Sequence, residues 1–180
     1  MDMKSHFELL ASYNQWMNNK VYEAASRLSE AELARDRGAF FSSILGTLNH
    51  LVVGDTLWLK RFATLPGCEA ALREVAELPD PESLNQVVFS DLEALLERRV
   101  WLDEQIVRWI GRLSEQDLTQ VLGYHNTKGV RSDKRLSSLL LHFFNHQTHH
   151  RGQVSTLLCQ AGVDVGVTDL LALIPNESQA

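Results

Sequence analysis

Four histidines, His142, His146, His149 and His150, fall within nine residues near the end of the chain. The sequence around them, LLLHFFNHQTHHRGQVSTLL, predicts one long helix. Residues four apart on a helix share a face, with Cβ atoms about 5–6 Å apart, so their imidazoles can bind one ion. His146 and His150 have this spacing and lie on the apolar side. The pattern indicates two ligands of a metal site.

Helical phase separates the four histidines into two pairs. His142 and His149 fall toward the polar side, where they would flank the site. Two buried imidazoles without partners would cost several kcal/mol, so a function for His146 and His150 is expected. The alternative is that each ring forms a hydrogen bond with a neighbour inside the protein. The spacing alone supports these two interpretations about equally.

A third ligand is available from another predicted helix. His50 lies there between Gly46 and Gly54, which leave space around the ring. It is off the centre of the apolar stripe, so periodicity does not show that it faces the other two histidines. His6, near the N-terminus, and His125, in a predicted hairpin, are weaker candidates. Three neutral imidazoles would suit Zn, Ni, Fe or Cu and leave a coordination position open for water or substrate.

Other chemical motifs are missing from the sequence. It has no HExxH and no Glu-x-x-His pair of the di-iron type, which leaves a mononuclear centre. Nucleophile elbows, phosphate-binding loops and dinucleotide glycine motifs are also absent, so no nucleotide cofactor is expected. No carboxylate has a fixed spacing to the histidines, so the catalytic acid or base is unknown.

Apolar periodicity predicts four long helices that would position these residues. We expect a single all-α domain over residues 1–180, a four-helix bundle with a short hairpin or extended loop before the last long helix. The four helices are expected at 3–28, from Ile44 to before Pro66, from Asp80 or Pro81 to about Arg112, and at about 135–160. Between and after them we expect a connection at 66–81, a hairpin within 119–131 and a helical turn at 168–174.

Composition narrows the class of protein. The chain of 180 residues is 44% hydrophobic and 22% charged, as expected for one globular domain. Its net charge of -6 argues against a nucleic-acid partner. No apolar run is long enough for a membrane span, and MDMKSHFELL is unlike a signal peptide, so we expect a cytoplasmic protein. Cys68 and Cys159, with no CxxC, are expected to be reduced thiols.

Three segments carry a resemblance to a known family. They are YNQWMNN at 13–19, FFSSILGTLNHLVVGDTLWLKRF at 40–62 and HFFNHQTHHRGQVSTLL at 142–158. With these motifs the chain closely resembles the DinB family of the DinB/YfiT-like superfamily of four-helix metalloproteins, over nearly its whole length. The resemblance implies that His50, His146 and His150 bind a divalent metal ion, with Zn or Ni expected first and Fe or Mn next.

The resemblance also suggests functions. It implies a homodimer and, by analogy with related branches, a thiol-S-transferase or hydrolase-like enzyme that acts on a small-molecule substrate, with a low-molecular-weight thiol as a further cofactor. The alternative is a noncatalytic stress-response protein whose ion is structural. A third possibility, a small-molecule binder without metal, requires His50 to lie far from His146 and His150.

Further residues could shape a substrate pocket beside this centre. Arg151 could bind an anionic substrate, or it could be a solvated arginine on the helix surface. Trp16 and Trp58 are more simply explained as core aromatics. The full set of pocket candidates is Tyr13, Asn14, Trp16, Asp55, Trp58, Asn145 and Arg151.

Overall fold

The computed structural model describes residues 2–126 and 128–176 and is predominantly helical. Its helices are α1 (Met3–Ala25), α2 (Glu30–Ala34), α3 (Ile44–Phe62), α4 (Arg73–Ala76), α5 (Leu92–Arg112) and α6 (Leu136–Gln160). Strands β1 (Val121–His125) and β2 (Arg131–Arg135) form an antiparallel hairpin. Short 3-10 turns occur at Asp117–Thr119 and Leu170–Leu173. The all-α prediction is confirmed in this broad sense, with one small two-stranded sheet added.

The four long helices pack around a shared apolar core. Helix α1 contacts α5 and α6, and α3 contacts the same two helices. Phe62 of α3 illustrates the packing, because it stacks on Trp109 of α5 and meets Phe143 of α6 edge to face. All three side chains are almost completely buried. Burial of such aromatic rings is a large stabilising contribution and fixes α3 against α6.

Helix α6, which carries the histidine cluster, has defined ends. The N–H of Leu136 donates to Gln120 O at 2.8 Å, which ties the helix start to the segment before the hairpin. At the other end Gly162 has φ of 82°, and the next N–H, of Val163, donates back to Leu158 O at 2.9 Å. Glycine adopts this left-handed conformation without steric cost. The predicted helix at about 135–160 and the predicted hairpin are both observed.

Two predicted helix boundaries were wrong. Helix α1 ends at Ala25, three residues before Leu28. Helix α5 begins at Leu92 with Asp91 as its N-cap, and Asp80 and Pro81 do not start it. The short helices α2 and α4 were also not predicted, and α4 lies within the segment expected to be a connection.

Hydrogen bonds to Asn49 explain the late start of α5. The side-chain oxygen of Asn49 accepts from the N–H groups of Val88 and Phe89, and its amide donates to Phe89 O. These bonds hold the segment before α5 as a non-helical strap across α3. A buried side chain that satisfies three backbone groups competes with the helical hydrogen bonds that local sequence would favour.

Helix α3 starts where the preceding loop turns back over it. Ser43 caps the helix, with its hydroxyl accepting from the Gly46 N–H at 2.9 Å. Ser42 has φ of 63°, an unusual conformation for a residue other than glycine. A Cβ at position 46 would lie 2.2 Å from the Phe41 carbonyl oxygen, so only glycine allows this close approach.

In the described part of the chain, no helix combines the length and the hydropathy that crossing a membrane requires.

Candidate metal centre

Three histidine rings from two helices meet at one point. His50 on α3 places its Nε2 3.2 Å from the Nε2 of His146 and 3.2 Å from the Nε2 of His150, both on α6. Zn–N bonds of 2.0–2.1 Å in tetrahedral geometry require nitrogens about 3.3 Å apart. The three rings are therefore spaced as the ligands of one ion would be. The condition for a binder without metal, a distant His50, is not met.

The outer nitrogens of two rings determine which tautomer each adopts. His50 Nδ1 donates to the Leu84 carbonyl oxygen at 2.8 Å, and a carbonyl can only accept. His150 Nδ1 lies 2.7 Å from the side-chain oxygen of Gln153 and donates to it. In the neutral rings both Nε2 atoms then carry lone pairs. These lone pairs face each other at 3.2 Å, an arrangement that a cation between them would stabilise.

The environment keeps the three rings neutral. Burial lowers the pKa of His146 to about 3, with further lowering by His150 and His50. Burial also lowers the pKa values of His50 and His150. A proton shared by His146 Nε2 could satisfy one neighbouring lone pair only, so the His50–His150 contact remains without a donor. Neutral imidazoles with outer N–H groups held by hydrogen bonds are typical of metal ligands.

An aromatic ring and a glycine help to fix the histidines. Phe41, from the loop before α3, stacks on His50 with ring centroids 3.8 Å apart and meets His150 edge to face. Gly54, one turn beyond His50, faces His146, where a Cβ would lie 3.1 Å from the ring carbon Cε1. The space predicted beside His50 is thus used by His146.

The other histidines lie outside this group of three. His142 and His149 are exposed, as helical phase predicted; His142 packs edge to face on Trp58, and His149 contacts Gln153. His6 bonds to the Asp2 carbonyl near the N-terminus, and His125 is exposed in β1.

A cavity of about 230 Å³ opens beside two of the three rings, those of His50 and His146. His50, Gly54 and His146 line it, together with Trp58 and Arg61 from the next turns of α3. An ion held by three protein nitrogens would keep a free coordination position. A small molecule in the cavity would lie next to two of the three rings.

Comparison with known proteins identifies the family of this chain. The family profile described as "DinB family" matches residues 3–179. The chain belongs to the DinB family. One curated relative in the family, Protein DinB of Bacillus subtilis (strain 168), is 26% identical over 162 residues, which cover 89% of this chain and 88% of the relative. No solved structure matches the chain significantly.

In this DinB-family protein a buried polar network holds the histidine-bearing helix. Gln147, between the two ligand candidates on α6, donates to Asp55 of α3. Asp55 accepts from Arg99 of α5 at 2.6 Å, and Arg99 also pairs with Asp103 at 2.9 Å. All four side chains are essentially inaccessible to solvent. The Gln147–Asp55 hydrogen bond therefore ties α6, which carries His146 and His150, directly to α3, which carries His50.

Arg151 belongs to the same network, which corrects both alternatives drawn from the sequence. It is buried and donates to Asn14 and Asn18 of α1, which in turn donate to Asp103. It is therefore neither a solvated surface arginine nor part of the cavity beside the histidines. Two arginines and two aspartates share this interior, so the formal charges cancel.

The pKa values of Asp55 and Arg99 reflect their burial in this network. Removal from water raises the pKa of Asp55 to about 6, although the Arg99 guanidinium acts in the opposite direction. Despite the cost of burying a cation, the attraction of Asp103 and Asp55 raises the pKa of Arg99. Asp55 is therefore ionised and paired at neutral pH.

Alanine at Gly54 is expected to weaken metal binding and leave the fold intact. The added methyl group would crowd His146 Cε1 at 3.1 Å and push the ring from its position. We expect roughly a tenfold loss of affinity for Zn²⁺, comparable to loss of a group that orients a ligand. Competition with a chromophoric chelator measures this loss. Gly152→Ala, at a helical glycine with open space, is the matched control and should bind normally.

Acid should destabilise the metal-free protein partly through His146. The unfolded chain binds a proton at this residue below its ordinary pKa of 6.5, whereas the folded ring stays neutral down to about 3. The unfolded state thus binds more protons in this range, and stability falls as pH falls. Asp55, with its raised pKa, acts in the opposite sense, so the comparison must isolate His146.

Urea unfolding in the presence of a chelator provides that comparison. Between pH 6.5 and 4.5, wild type should lose on the order of 1 kcal/mol per pH unit more than His146→Ala. Parallel curves for the two proteins would contradict the neutral state assigned to this ring.

Proposed function

We propose that this protein is a metal-dependent enzyme of the thiol-S-transferase or hydrolase-like kind, with His50, His146 and His150 as metal ligands. The observation that carries the proposal is the pair of unprotonated Nε2 atoms of His50 and His150, 3.2 Å apart and without a donor between them. Their outer N–H groups are already committed to Leu84 O and Gln153.

The chemistry follows from an open three-nitrogen site. A divalent ion held there would lower the pKa of a bound thiol or water and so supply a nucleophilic anion at neutral pH. The protein's own residues hold the three nitrogens in place, and the adjoining cavity receives the electrophile. In the transfer reaction the thiol sulfur forms a bond to carbon, a leaving group departs with the electron pair of its bond, and the thiol proton passes to solvent.

The competing function is a noncatalytic, stress-response protein with a structural ion. A structural ion would hold α3 and α6 together. These helices are already joined by the Asp55–Gln147 hydrogen bond and by packing of Phe62 on Phe143. We therefore expect metal removal to lower the melting temperature only modestly, which is the result that a catalytic ion predicts.

The finer features of the proposal rest on the resemblance to the family, except for the location, which rests on the sequence alone. They are a four-helix bundle of the DinB/YfiT type built from α1, α3, α5 and α6, a homodimer, a cytoplasmic location, a small-molecule substrate, and Zn or Ni as the ion, with Fe or Mn next. Pairwise packing of the four long helices supports the bundle, and an all-nitrogen ligand set supports Zn or Ni.

A direct experiment combines metal reconstitution with a thiol and an electrophile. Wild type loaded with Zn²⁺ or Ni²⁺ should accelerate thioether formation between a low-molecular-weight thiol and 1-chloro-2,4-dinitrobenzene, or hydrolysis of p-nitrophenyl acetate. The metal-free protein and His146→Ala are the controls. If a broad panel of thiols, electrophiles and esters gives no metal-dependent turnover, and metal removal causes a large fall in melting temperature, the structural alternative replaces the enzyme.

A further inference from the structure

The cavity beside the three histidines extends along one face of α3. His50, Gly54, Trp58 and Arg61 follow each other at helical spacing and all line it. Arg61 follows His50 by eleven positions, which corresponds to about 16 Å along the helix axis. Side chains of a helix lean toward its N-terminus, so the guanidinium of Arg61 shortens this distance. One molecule can therefore reach both ends.

The Arg61 guanidinium is held in place by flat apolar surfaces. It lies 4.8 Å from the ring centroid of Trp58 and 5.0 Å from that of Tyr124 in β1. One of its N–H groups donates to the His125 carbonyl at 3.2 Å. Arginine has five N–H donors in a fixed plane, so several remain for another acceptor. The aromatic contacts limit its freedom, which reduces the entropy lost when a ligand binds.

The positive charge of Arg61 has no carboxylate partner among the described residues. Its neighbour Lys60, also in the last turn of α3, is paired with Asp80. No Asp or Glu in that part of the chain lines the cavity. Burial lowers the pKa of Arg61, which shows the cost of removing this cation from water without compensation. In a protein with a net charge of -6, such a local excess of positive charge is notable.

We propose that this cavity binds a small molecule with a carboxylate at one end and a flat apolar body, its carboxylate on Arg61 and its other end at the histidine centre. Trp58 and Tyr124 would contact the flat body, and Asn126 at the rim offers an additional polar group. A planar guanidinium matches the two oxygens of a carboxylate. The orientation of the reacting end rests on the proposed function, whereas the carboxylate site does not.

The test uses metal-free protein, because a carboxylate could otherwise bind the ion directly. The probes are 4-ethylbenzoate and its neutral isostere 4-ethylbenzamide, titrated in the presence of a chelator. The indole N–H signal of Trp58, assigned with Trp58→Phe, reports binding in the NMR spectrum. Wild type should bind the acid at least about tenfold more tightly than the amide. Arg61→Met should lose this preference and retain affinity for the amide.

Arg98 offers a matched control. It also stacks on two aromatic rings, those of Phe89 and Trp101, but lies outside this cavity. Arg98→Met should keep the preference for the acid. If Arg61→Met is unfolded, Arg61→Gln, which can still donate to the His125 carbonyl, takes its place.

Equal affinity of wild type for acid and amide, or an unchanged preference in the Arg61 variant, would overturn the proposal. Measurement of metal content separates the two ideas. A protein that prefers the acid but binds no metal would overturn the proposed function and support the carboxylate site. A protein that binds metal but does not discriminate between acid and amide would overturn the carboxylate site and leave the proposed metal centre supported.

Discussion

Replacement of Asp55 by alanine should lower the free energy of unfolding by about 3–5 kcal/mol, since one partner of a buried ion pair is removed. Arg99 would keep its buried charge with Asp103 as its remaining carboxylate partner. The Gln147 amide would also lose the oxygen to which it donates. Urea unfolding at neutral pH, followed by circular dichroism, measures the loss.

An exposed ion pair provides the control for this prediction. Asp133 pairs with Arg131 at 3.3 Å on the hairpin, with both side chains largely in solvent. Surface pairs of this kind contribute about 0–1 kcal/mol, so Asp133→Ala should unfold nearly as wild type does. A loss below about 1 kcal/mol in Asp55→Ala would show that the network does not hold α3, α5 and α6 together as described.

Replacement of His146 by alanine should reduce metal affinity by more than about 100-fold, because loss of a ligand exceeds the 10–100-fold effect of losing a group that orients one. The fold should be retained. In the metal-free state the variant should be at least as stable as wild type near neutral pH. The His146 imidazole is a partly buried polar ring whose described side-chain hydrogen bond is to another histidine of the group, and the substitution removes the cost of burying it. Metal content after dialysis and a thermal melt test both parts.

His149→Ala is the matched control on the same helix. His149 is exposed and adjacent to His150, but its ring contacts Gln153 and is not part of the group of three. This variant should retain its metal. If both variants keep the metal, the ion is bound elsewhere. If both lose it, His149 is also needed for binding, and the separation of ligands from flanking histidines by helical phase is wrong.

The two ligand candidates on α6 could be predicted from sequence because they depend on local geometry. Once a helix is recognised, spacing fixes which side chains share a face, and it separated His146 and His150 from His142 and His149. The end of this helix at Gly162 and the hairpin before it are equally local features. They follow from backbone conformations that few residue types favour.

The contribution of His50 depends on contacts that are distant in sequence. Its position relative to α6 is set by packing between helices, and periodicity within α3 left it off the main stripe. The same is true of the strap before α5. Its Leu84 carbonyl orients the His50 ring, and it stays non-helical because Asn49 binds it from another helix. A helix start predicted from Asp80 and Pro81 could not include that competition.

Residues that support the centre were missed for similar reasons. Phe41 reaches His50 through a loop in which Ser42 adopts a left-handed conformation. Arg61 was not singled out, because a basic residue in the last turn of a helix is common and has a simple explanation in the helix dipole. Arg151 was assigned to a ligand or to solvent, since nothing in its local sequence shows the buried aspartate and asparagines that surround it.

The central claim is that His50, His146 and His150 together bind one divalent ion, and metal titration of the chelator-treated protein tests it most directly. Binding should saturate at about one Co²⁺ or Zn²⁺ per chain, and the visible spectrum of the cobalt form should be that of a four-coordinate ion with nitrogen ligands. The same titration of His50→Ala should show weakened binding. Wild type that binds no ion specifically, or His50→Ala that binds it as tightly as wild type, would contradict the account.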